Sequence, residues 1–475
     1  MILSARPLLL LLSLLLPVAA WGQGASLPAS VEQALTRAGI AHDNVAIWVQ
    51  PVDAERASLV YNAERPMNPA SVMKLVTAFV ALDALGPSHS WTTRLARTGP
   101  IAGGTLMGDL HIIGGADPVL GYERMWRLLR RLRETGVDHI AGDIVLDGTS
   151  LRLPEHDPFA FDGRGLRPYN SGPYGMLMHF NTLQLFLTPG EPGTRVGMIS
   201  SPPIHGLSID NRIVSQTGAC GVWHRNLDAR VETTPEGPLL VLLGSLPSSC
   251  GQRNWAASPL APDHFASAVV SALWAEVGGR LEGQVRSGIA PVQTELILID
   301  SSPALAEVVR EMNKWSSNVI ARQLLASIGR QEPGALDMVA AGSRVAAQSL
   351  QLAGVNTSGL VIENGAGLSR IERIRADSLG QMLIAAWRRP WMPEFISALP
   401  MAGIDGTAHQ RLRNSPARGQ AHIKTGTINQ VRAIGGYVLD RNGRRHAVVM
   451  MVNDPKAHDS QAAQDALLEW VWNAR

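Results

Sequence analysis

Apolar residues recur along this chain with two spacings, and the changes between them divide it. Positions 27–40 carry apolar residues at helical intervals, whereas 45–52 and 57–61 read as strands joined by a polar turn at Asp53-Ala54-Glu55. The helical period returns over 71–85, where Leu75, Phe79, Leu82 and Leu85 share one face and Gly86-Pro87 stops the run. From about 291 to 401 the pattern is largely helical, with clear segments at 304–312, 317–328, 336–352 and 376–388. The C-terminal part predicts three strands, 421–427, 431–439 and 446–452, and a closing helix over 460–472. Asp440-Arg441-Asn442-Gly443, between the last two strands, is a hairpin signal.

Between about 91 and 290 the texture differs. Short strand-like runs are broken by Gly and Pro, and one helix is predicted around 122–135. Such a stretch between two helix-bearing parts predicts an insertion. The expected organisation is a domain built from 25–90 and 291–475, with a mainly β inserted region, itself subdivided, over 91–290. The outer parts would combine into an α+β domain, an antiparallel sheet with helices beside it. A length of 475 residues agrees with more than one domain.

The first residues are read as a targeting signal, 1–20, with cleavage between 20 and 24. Arg6 precedes a leucine-rich run over 7–17, and Val18-Ala19-Ala20 supplies small residues. That run is too short to span a bilayer comfortably, so an exported chain without a stable membrane anchor is expected. The two cysteines, Cys220 and Cys250, are expected to form a disulfide in that oxidising compartment. It would close a loop of about 30 residues, worth ~3 kcal/mol or a little more. Neither cysteine has CxxC or His-Cys ligand spacing, so no metal site is expected. The formal net charge is +2, and no basic run or aromatic-basic alternation occurs, which argues against a nucleic-acid partner.

Charge composition then points to chemistry. The chain has four lysines against thirty-eight arginines. Guanidinium stays protonated in proteins, whereas a desolvated ammonium can give up its proton. Three of the lysines lie in short polar motifs: Ser71-Val72-Met73-Lys74, Asn313-Lys314-Trp315-Ser316-Ser317-Asn318, and His422-Ile423-Lys424-Thr425-Gly426. Ser71 and Lys74 are three apart at a predicted helix start, so their side chains can meet. A serine needs a base to become a nucleophile, and a desolvated lysine can be that base. The helix N-terminus adds positive potential where an oxyanion would form. Lys424, Thr425 and Thr427 could bind a carboxylate, and Gly426 on the strand would allow close approach of a substrate backbone.

No single one of these motifs is specific; their order is. A serine–lysine pair, a Ser-x-Asn and a Lys-Thr-Gly in this sequence resemble the penicillin-recognising serine enzymes. Ser71 to Ser316 spans about 245 residues and Ser316 to Lys424 about 108. So long a first interval is similar to the D-Ala-D-Ala carboxypeptidase/endopeptidase family of class C low-molecular-mass penicillin-binding proteins. Gly108-Asp109-Leu110, Gly114-Gly115-Ala116-Asp117-Pro118, Gly365-Ala366-Gly367-Leu368-Ser369-Arg370 and Gly403-Ile404-Asp405-Gly406-Thr407 also match it.

The resemblance implies a penicillin-binding-protein/serine β-lactamase-like transpeptidase fold and a periplasmic serine D,D-peptidase that uses no cofactor. Its partners would be peptidoglycan stem peptides and cross-links, with β-lactam antibiotics as covalent inhibitors. Catalysis would fall to Ser71 as nucleophile, Lys74 as base and Ser316 as proton relay. Asn318, Lys424, Thr425, Gly426 and Thr427 would bind substrate, with the N–H groups of Ser71 and Thr427 forming the oxyanion hole. Lys314 matches a lysine often seen there and has no assigned role. The chain departs from the pattern at Ser317, Trp315, Asn364 and Ala366; Trp315 could stack against substrate or pack inward. The alternatives are a serine β-lactamase and a non-catalytic penicillin sensor. The first would need a Glu-x-x-Leu-Asn segment between Ser71 and Ser316, which is not found. No GxSxG, HExxH or phosphate loop is found, and the sequence carries no signal for oligomeric state.

Overall fold

The computed structural model describes residues 26–474, so the targeting signal expected at 1–20 lies outside the described residues. The N- and C-terminal parts of the chain build one five-stranded antiparallel sheet. Its order is Ala421–Ile428, Val431–Leu439, Arg445–Asn453, Val45–Pro51, Leu59–Tyr61. Every residue of Val45–Pro51 is buried, because helices cover both faces. Strand side chains alternate between faces, and here the alternation sorts them into two cores. Val45, Ile47, Val49, Val448 and Met450 pack with Val31, Leu35, Leu467 and Leu468 of the terminal helices Ala29–Ala38 and Gln461–Trp472. Ala46, Trp48, Val449 and Met451 pack with Leu379 and Leu383 of the helix Ala376–Trp387 and with the rest of the helical part. This is the α+β sheet-and-helix arrangement expected from the sequence.

The helix Lys74–Leu85 is buried from Lys74 to Leu82 and apolar nearly all round, so it runs through the middle of the second core. It differs from the expected helix over 71–85 at its start. Residues Ala70–Met73 form a 3₁₀ turn, and the α-helix begins only at Lys74. The difference matters because side chains three apart eclipse one another in a 3₁₀ turn.

The chain between Trp91 and Ser301 forms further sheets. The larger has the order Val285–Ser287, Ile144–Asp147, Leu110–Ile113, Thr92–Arg97, Glu295–Ser301. It has its own apolar core, which includes Leu95, Ile112, Leu129, Phe265 and Leu273. Strand Glu295–Ser301 pairs with Thr92–Arg97, so this sheet extends beyond residue 290 before helix returns at Leu305. Two helices pack here rather than one: Tyr122–Glu134 and Pro262–Glu276. The second has apolar residues on most sides and no clear polar stripe, so its sequence lacks the period that marks a surface helix. Pro262 in its first turn was the remaining signal. Cys220 and Cys250 are joined as a disulfide with their Cα atoms 4.7 Å apart.

One contact fixes how closely the helical layer approaches the sheet. A Cβ at Gly380 would sit 2.1 Å from the Trp48 ring. Gly380→Ala gains helix propensity but must displace a rigid ring on a buried strand, and overpacking of this kind costs about 1–3 kcal/mol. The expected outcome is a lower thermal midpoint than wild type in a denaturation scan; an unchanged or higher midpoint would contradict this packing.

Candidate active site

Ser71 lies in the 3₁₀ turn Ala70–Met73, and the residue before it is held out of the usual backbone range. Ala70 has φ 45°, a conformation that costs a non-glycine residue about 1–3 kcal/mol. The surroundings impose it. Asn68 Oδ1 accepts the Ala70 N–H at 2.9 Å, and Asn453 Oδ1 accepts the Asn68 N–H at 2.8 Å. Gly367 lies so near that a Cβ there would be 1.9 Å from the Ala70 carbonyl oxygen.

Lys74 is fully buried one 3₁₀ step on. Its Nζ donates to Ser71 Oγ at 3.0 Å, to Asn318 Oδ1 at 2.7 Å and to the Ala366 carbonyl. An ammonium has three hydrogens, and each has an acceptor. Burial holds the Lys74 ammonium well below the usual lysine range, and the Lys424 charge pushes the same way. Glu372 opposes the shift.

Ser316-Ser317-Asn318 forms the corner between two helices. Ser316, with φ 59°, ends Leu305–Trp315 in the left-handed conformation. Ser317 caps the next helix, Asn318–Gly329, its Oγ accepting the Ile320 N–H at 3.3 Å. The departure at Ser317 therefore has a structural reason, since Ser caps a helix as Asp or Asn does. Trp315 is 65% exposed, which settles it on the surface rather than in the core.

Lys424 is also fully buried, and its Nζ donates to Ser316 Oγ at 2.8 Å and to the Thr425 carbonyl at 2.7 Å. Burial brings its ammonium down to about 7. Lys424 belongs to the edge strand Ala421–Ile428. The Ile423 N–H and the Ala421 carbonyl bond outward from that edge, to Pro400 O at 2.8 Å and Ala402 N at 2.9 Å. By the two-residue period of a strand, the backbone groups of Thr425 and Thr427 point off the same edge. Gly426 permits the approach: a Cβ there would lie 2.6 Å from Pro69 O and 3.0 Å from Ser71 N. The structure thus brings Ser71, Lys74, Ser316, Asn318, Lys424, Thr425 and Gly426 together, with Thr427 the next residue on the same strand and its side chain exposed. Cys220 and Cys250 form their disulfide in the inserted region.

Several residues that hold this cleft had no role assigned from the sequence. Lys314 pairs with Asp405 at 2.6 Å, and Asp405 accepts the Met401 N–H at 2.8 Å. That fixes the turn Gly406–Ala408, whose Thr407 hydroxyl meets that of Thr425 at 3.0 Å. Lys314 thereby acquires a physical role, and so does the Gly403–Thr407 motif. The fully buried Glu372 accepts three backbone N–H groups on Oε1, from Glu363 at 3.1 Å and from Asn364 and Gly365 at 3.0 Å. It anchors the loop whose Ala366 carbonyl receives Lys74, helped by Thr77 Oγ1 donating to Gly365 O at 2.7 Å. Arg322 donates to Ser171 O at 2.7 Å, and Asn318 Nδ2 donates to Tyr169 O at 3.3 Å. These groups act through main-chain partners, which a side-chain pattern does not display. Among the described residues no group of three or more His, Cys, Asp or Glu is placed to hold a metal ion.

Fold and cleft together define a penicillin-binding-protein-type serine peptidase. The sequence profile of the D-Ala-D-Ala carboxypeptidase 3 (S13) family matches residues 27–474, and the chain belongs to that family. It is 30% identical over 417 residues to a D-alanyl-D-alanine carboxypeptidase of Actinomadura sp. (strain R39), covering 84% of this chain and 76% of that protein. It is 24% identical over 439 residues to the D-alanyl-D-alanine carboxypeptidase DacB of Haemophilus influenzae, covering 88% of this chain and 87% of that one. The crystal structure of penicillin binding protein 4 (dacB) from Haemophilus influenzae superposes with a TM-score of 0.77 at 21% identity. That match covers 94% of this chain and 99% of the other, and establishes a shared fold.

The Glu372 anchor can be tested by stability. Glu372→Ala leaves three N–H groups without their acceptor and is expected to cost about 3 kcal/mol, within the range for unpaired buried polar groups. Glu372→Gln keeps an acceptor oxygen and is expected to retain most of the wild-type thermal midpoint. Equal losses for the two variants would show that the three hydrogen bonds are not what the carboxyl contributes.

Proposed function

We propose that this peptidase works through an acyl-enzyme on Ser71, releasing terminal D-alanine from peptidoglycan stem peptides and opening D,D cross-links. The observation that carries the reading is the buried Lys74 Nζ, 3.0 Å from Ser71 Oγ and depressed by burial. In its neutral form Lys74 accepts the Ser71 proton as Oγ attacks the carbonyl carbon of the penultimate D-alanine. The N–H groups of Ser71 and Thr427 stabilise the oxyanion. The terminal carboxylate is held by Lys424 and Thr425, and Asn318 takes the substrate's peptide carbonyl. The substrate backbone lies along the free edge at Gly426 as an added strand. Ser316, bonded to Lys424, relays a proton to the departing amine nitrogen as the C–N bond breaks. Water then cleaves the ester and restores the Ser71 hydroxyl.

β-Lactams fit the same reading as covalent inhibitors that acylate Ser71. The similar Haemophilus influenzae penicillin binding protein 4 is known in complex with a novel β-lactam, which supports it. The two outer parts of the chain would form the peptidase domain, with the inserted region between them. Residues 1–20 would direct the chain to the periplasm, where the Cys220–Cys250 disulfide would be stable. No helix among the described residues is long and apolar enough to cross a membrane.

The direct experiment incubates purified mature protein with fluorescent penicillin and with defined muropeptides, alongside Ser71→Ala. A covalent adduct and D-alanine release are expected from wild type and from neither reaction of the variant. An adduct that survives in Ser71→Ala would overturn the assignment.

The two lysines also set a pH dependence. Attack needs Lys74 neutral, so activity rises with pH as its proton is lost. Carboxylate binding needs Lys424 charged, so kcat/KM falls on the alkaline side as that ammonium, at about 7 in the free site, loses its proton. Lys424→Arg keeps the charge at high pH, though its planar fork fits less well. Its kcat/KM profile is expected to have a lower plateau without the alkaline fall. Retention of the wild-type alkaline limb in that variant would assign the limb to another group.

A further inference from the structure

A second cleft, of about 610 Å³, opens beside the catalytic groove. Two of its walls continue directly from the reacting residues. Lys314 and Trp315 precede Ser316, and Gly406 precedes Thr407, whose hydroxyl meets Thr425. The third wall comes from the inserted region, through Val119 and Phe180. The cleft is thus a neighbour, through Trp315 and through Gly406 and Thr407, of Ser316 and Thr425, which would handle the departing amine and its carboxylate.

Two features of the walls go beyond ordinary packing. Trp315 is a large aromatic side chain left 65% exposed on the rim. Phe180 stands in a run of three consecutive left-handed residues, with φ 46° at His179, 57° at Phe180 and 53° at Asn181. Non-glycine residues avoid this conformation, and such strain persists only where surrounding contacts impose it, often at functional sites. Those contacts are present. His179 N–H donates to Leu120 O at 2.8 Å, and Asn181 Nδ2 donates to Ser171 Oγ and Leu260 O, both at 3.1 Å. Thr182 Oγ1 donates to Phe180 O at 3.1 Å. The turn sets Phe180 against the core of the helical part, across from its own region.

A single departing D-alanine would be handled at Lys424 and Thr425 and has no atoms to place further out. A leaving group that continues past the scissile nitrogen does. In a cross-linked stem peptide that nitrogen ends the aliphatic side chain of a diamino acid, which leads to a second peptide. The lining is mixed: Val119, Phe180 and Trp315 offer apolar surface for the methylenes, while Glu307, Arg310 and Glu311 offer charged groups to the peptide that follows. We propose that Val119, Phe180 and Trp315 form a leaving-side subsite that takes the amine half of a cross-link, biasing the enzyme toward cross-linked substrates. This rests on Ser71 acylation as described above: the acyl carbon bonds to Oγ, its bond to the side-chain nitrogen breaks, and that nitrogen receives the relayed proton.

The test compares kcat/KM for a cross-linked muropeptide dimer with that for the corresponding pentapeptide monomer, on the same preparation of each variant. Loss of folded enzyme cancels in this ratio. Phe180→Ala and Trp315→Ala are each expected to lower the dimer-to-monomer ratio about tenfold, the scale of losing one aromatic contact. Trp315 is an exposed side chain, so its truncation opens no core and keeps the test sound if Phe180→Ala folds poorly. An unchanged ratio in Trp315→Ala would overturn the subsite while leaving Ser71 acylation intact. Absence of any Ser71-dependent adduct in wild type would instead bring down the acylation reading, and the subsite with it.

Discussion

The Lys74 ammonium is fully buried, and its three hydrogens reach three segments that lie far apart in the chain. Ser71 comes from the turn before the central helix, Asn318 from a helix corner, and Ala366 from a loop pinned by Glu372. An unpaired charge in such a place would be prohibitively costly, so all three acceptors must be present together. The same burial weakens the hold on the proton, as does the second buried ammonium at Lys424. One requirement, that a buried cation be satisfied, thus draws the three segments together, and the same burial suits Lys74 to the role of base proposed for it. The strained Ala70 and the left-handed Ser316 are consistent with it, because both are held off their preferred conformations to deliver side chains to this point.

The sheet supplies the other constraint. An edge strand exposes unpaired backbone groups that natural proteins usually cover. Here the edge strand Ala421–Ile428 is covered at one end by Pro400 and Ala402. Farther along, at Gly426, it lies against the turn that carries Ser71. Between these points stands Thr425, steadied by Thr407 through the Lys314–Asp405 pair. The backbone groups of Thr425 and Thr427 lie along the remaining length of this edge, where the proposed substrate strand would pair. Gly426 cannot be replaced without a side chain meeting backbone atoms on both Pro69 and Ser71.

Much of this was legible from sequence because side chains carried it. Few lysines remain in an arginine-rich chain, so the three in polar motifs stood out, and short apolar, β-branched runs over 45–52 and 431–439, bounded by polar turns, marked the sheet. What escaped was carried by backbone. The 3₁₀ turn at Ser71 depends on contacts to Asn68, Asn453 and Gly367 that only the folded chain brings together. Glu372 and Arg322 bind main-chain groups and therefore match no side-chain pattern. The helix Pro262–Glu276 has no clear polar stripe, and strand Glu295–Ser301 declares its sheet only by pairing with a partner about 200 residues earlier.

The inserted region is tied to the cleft through one helix. On Asn318–Gly329, three polar side chains face its main chain rather than water. Asn318 reaches Tyr169 O at 3.3 Å and Arg322 reaches Ser171 O at 2.7 Å. Gln323, fully buried, donates to Ala116 O at 3.0 Å and to Tyr174 O at 2.8 Å, and accepts the Tyr174 N–H at 3.0 Å. These carbonyls would be costly to leave unpaired, so the helix corner bearing Ser316 and Asn318 cannot shift without loosening the insertion. Asn318 is bonded on its other side to Lys74, which makes it a link between the insertion and that buried lysine. The same inserted chain that receives these bonds also builds the left-handed turn carrying Phe180. Its packing therefore bears on both flanks of the cleft, the side that holds Lys74 and the side that carries Phe180.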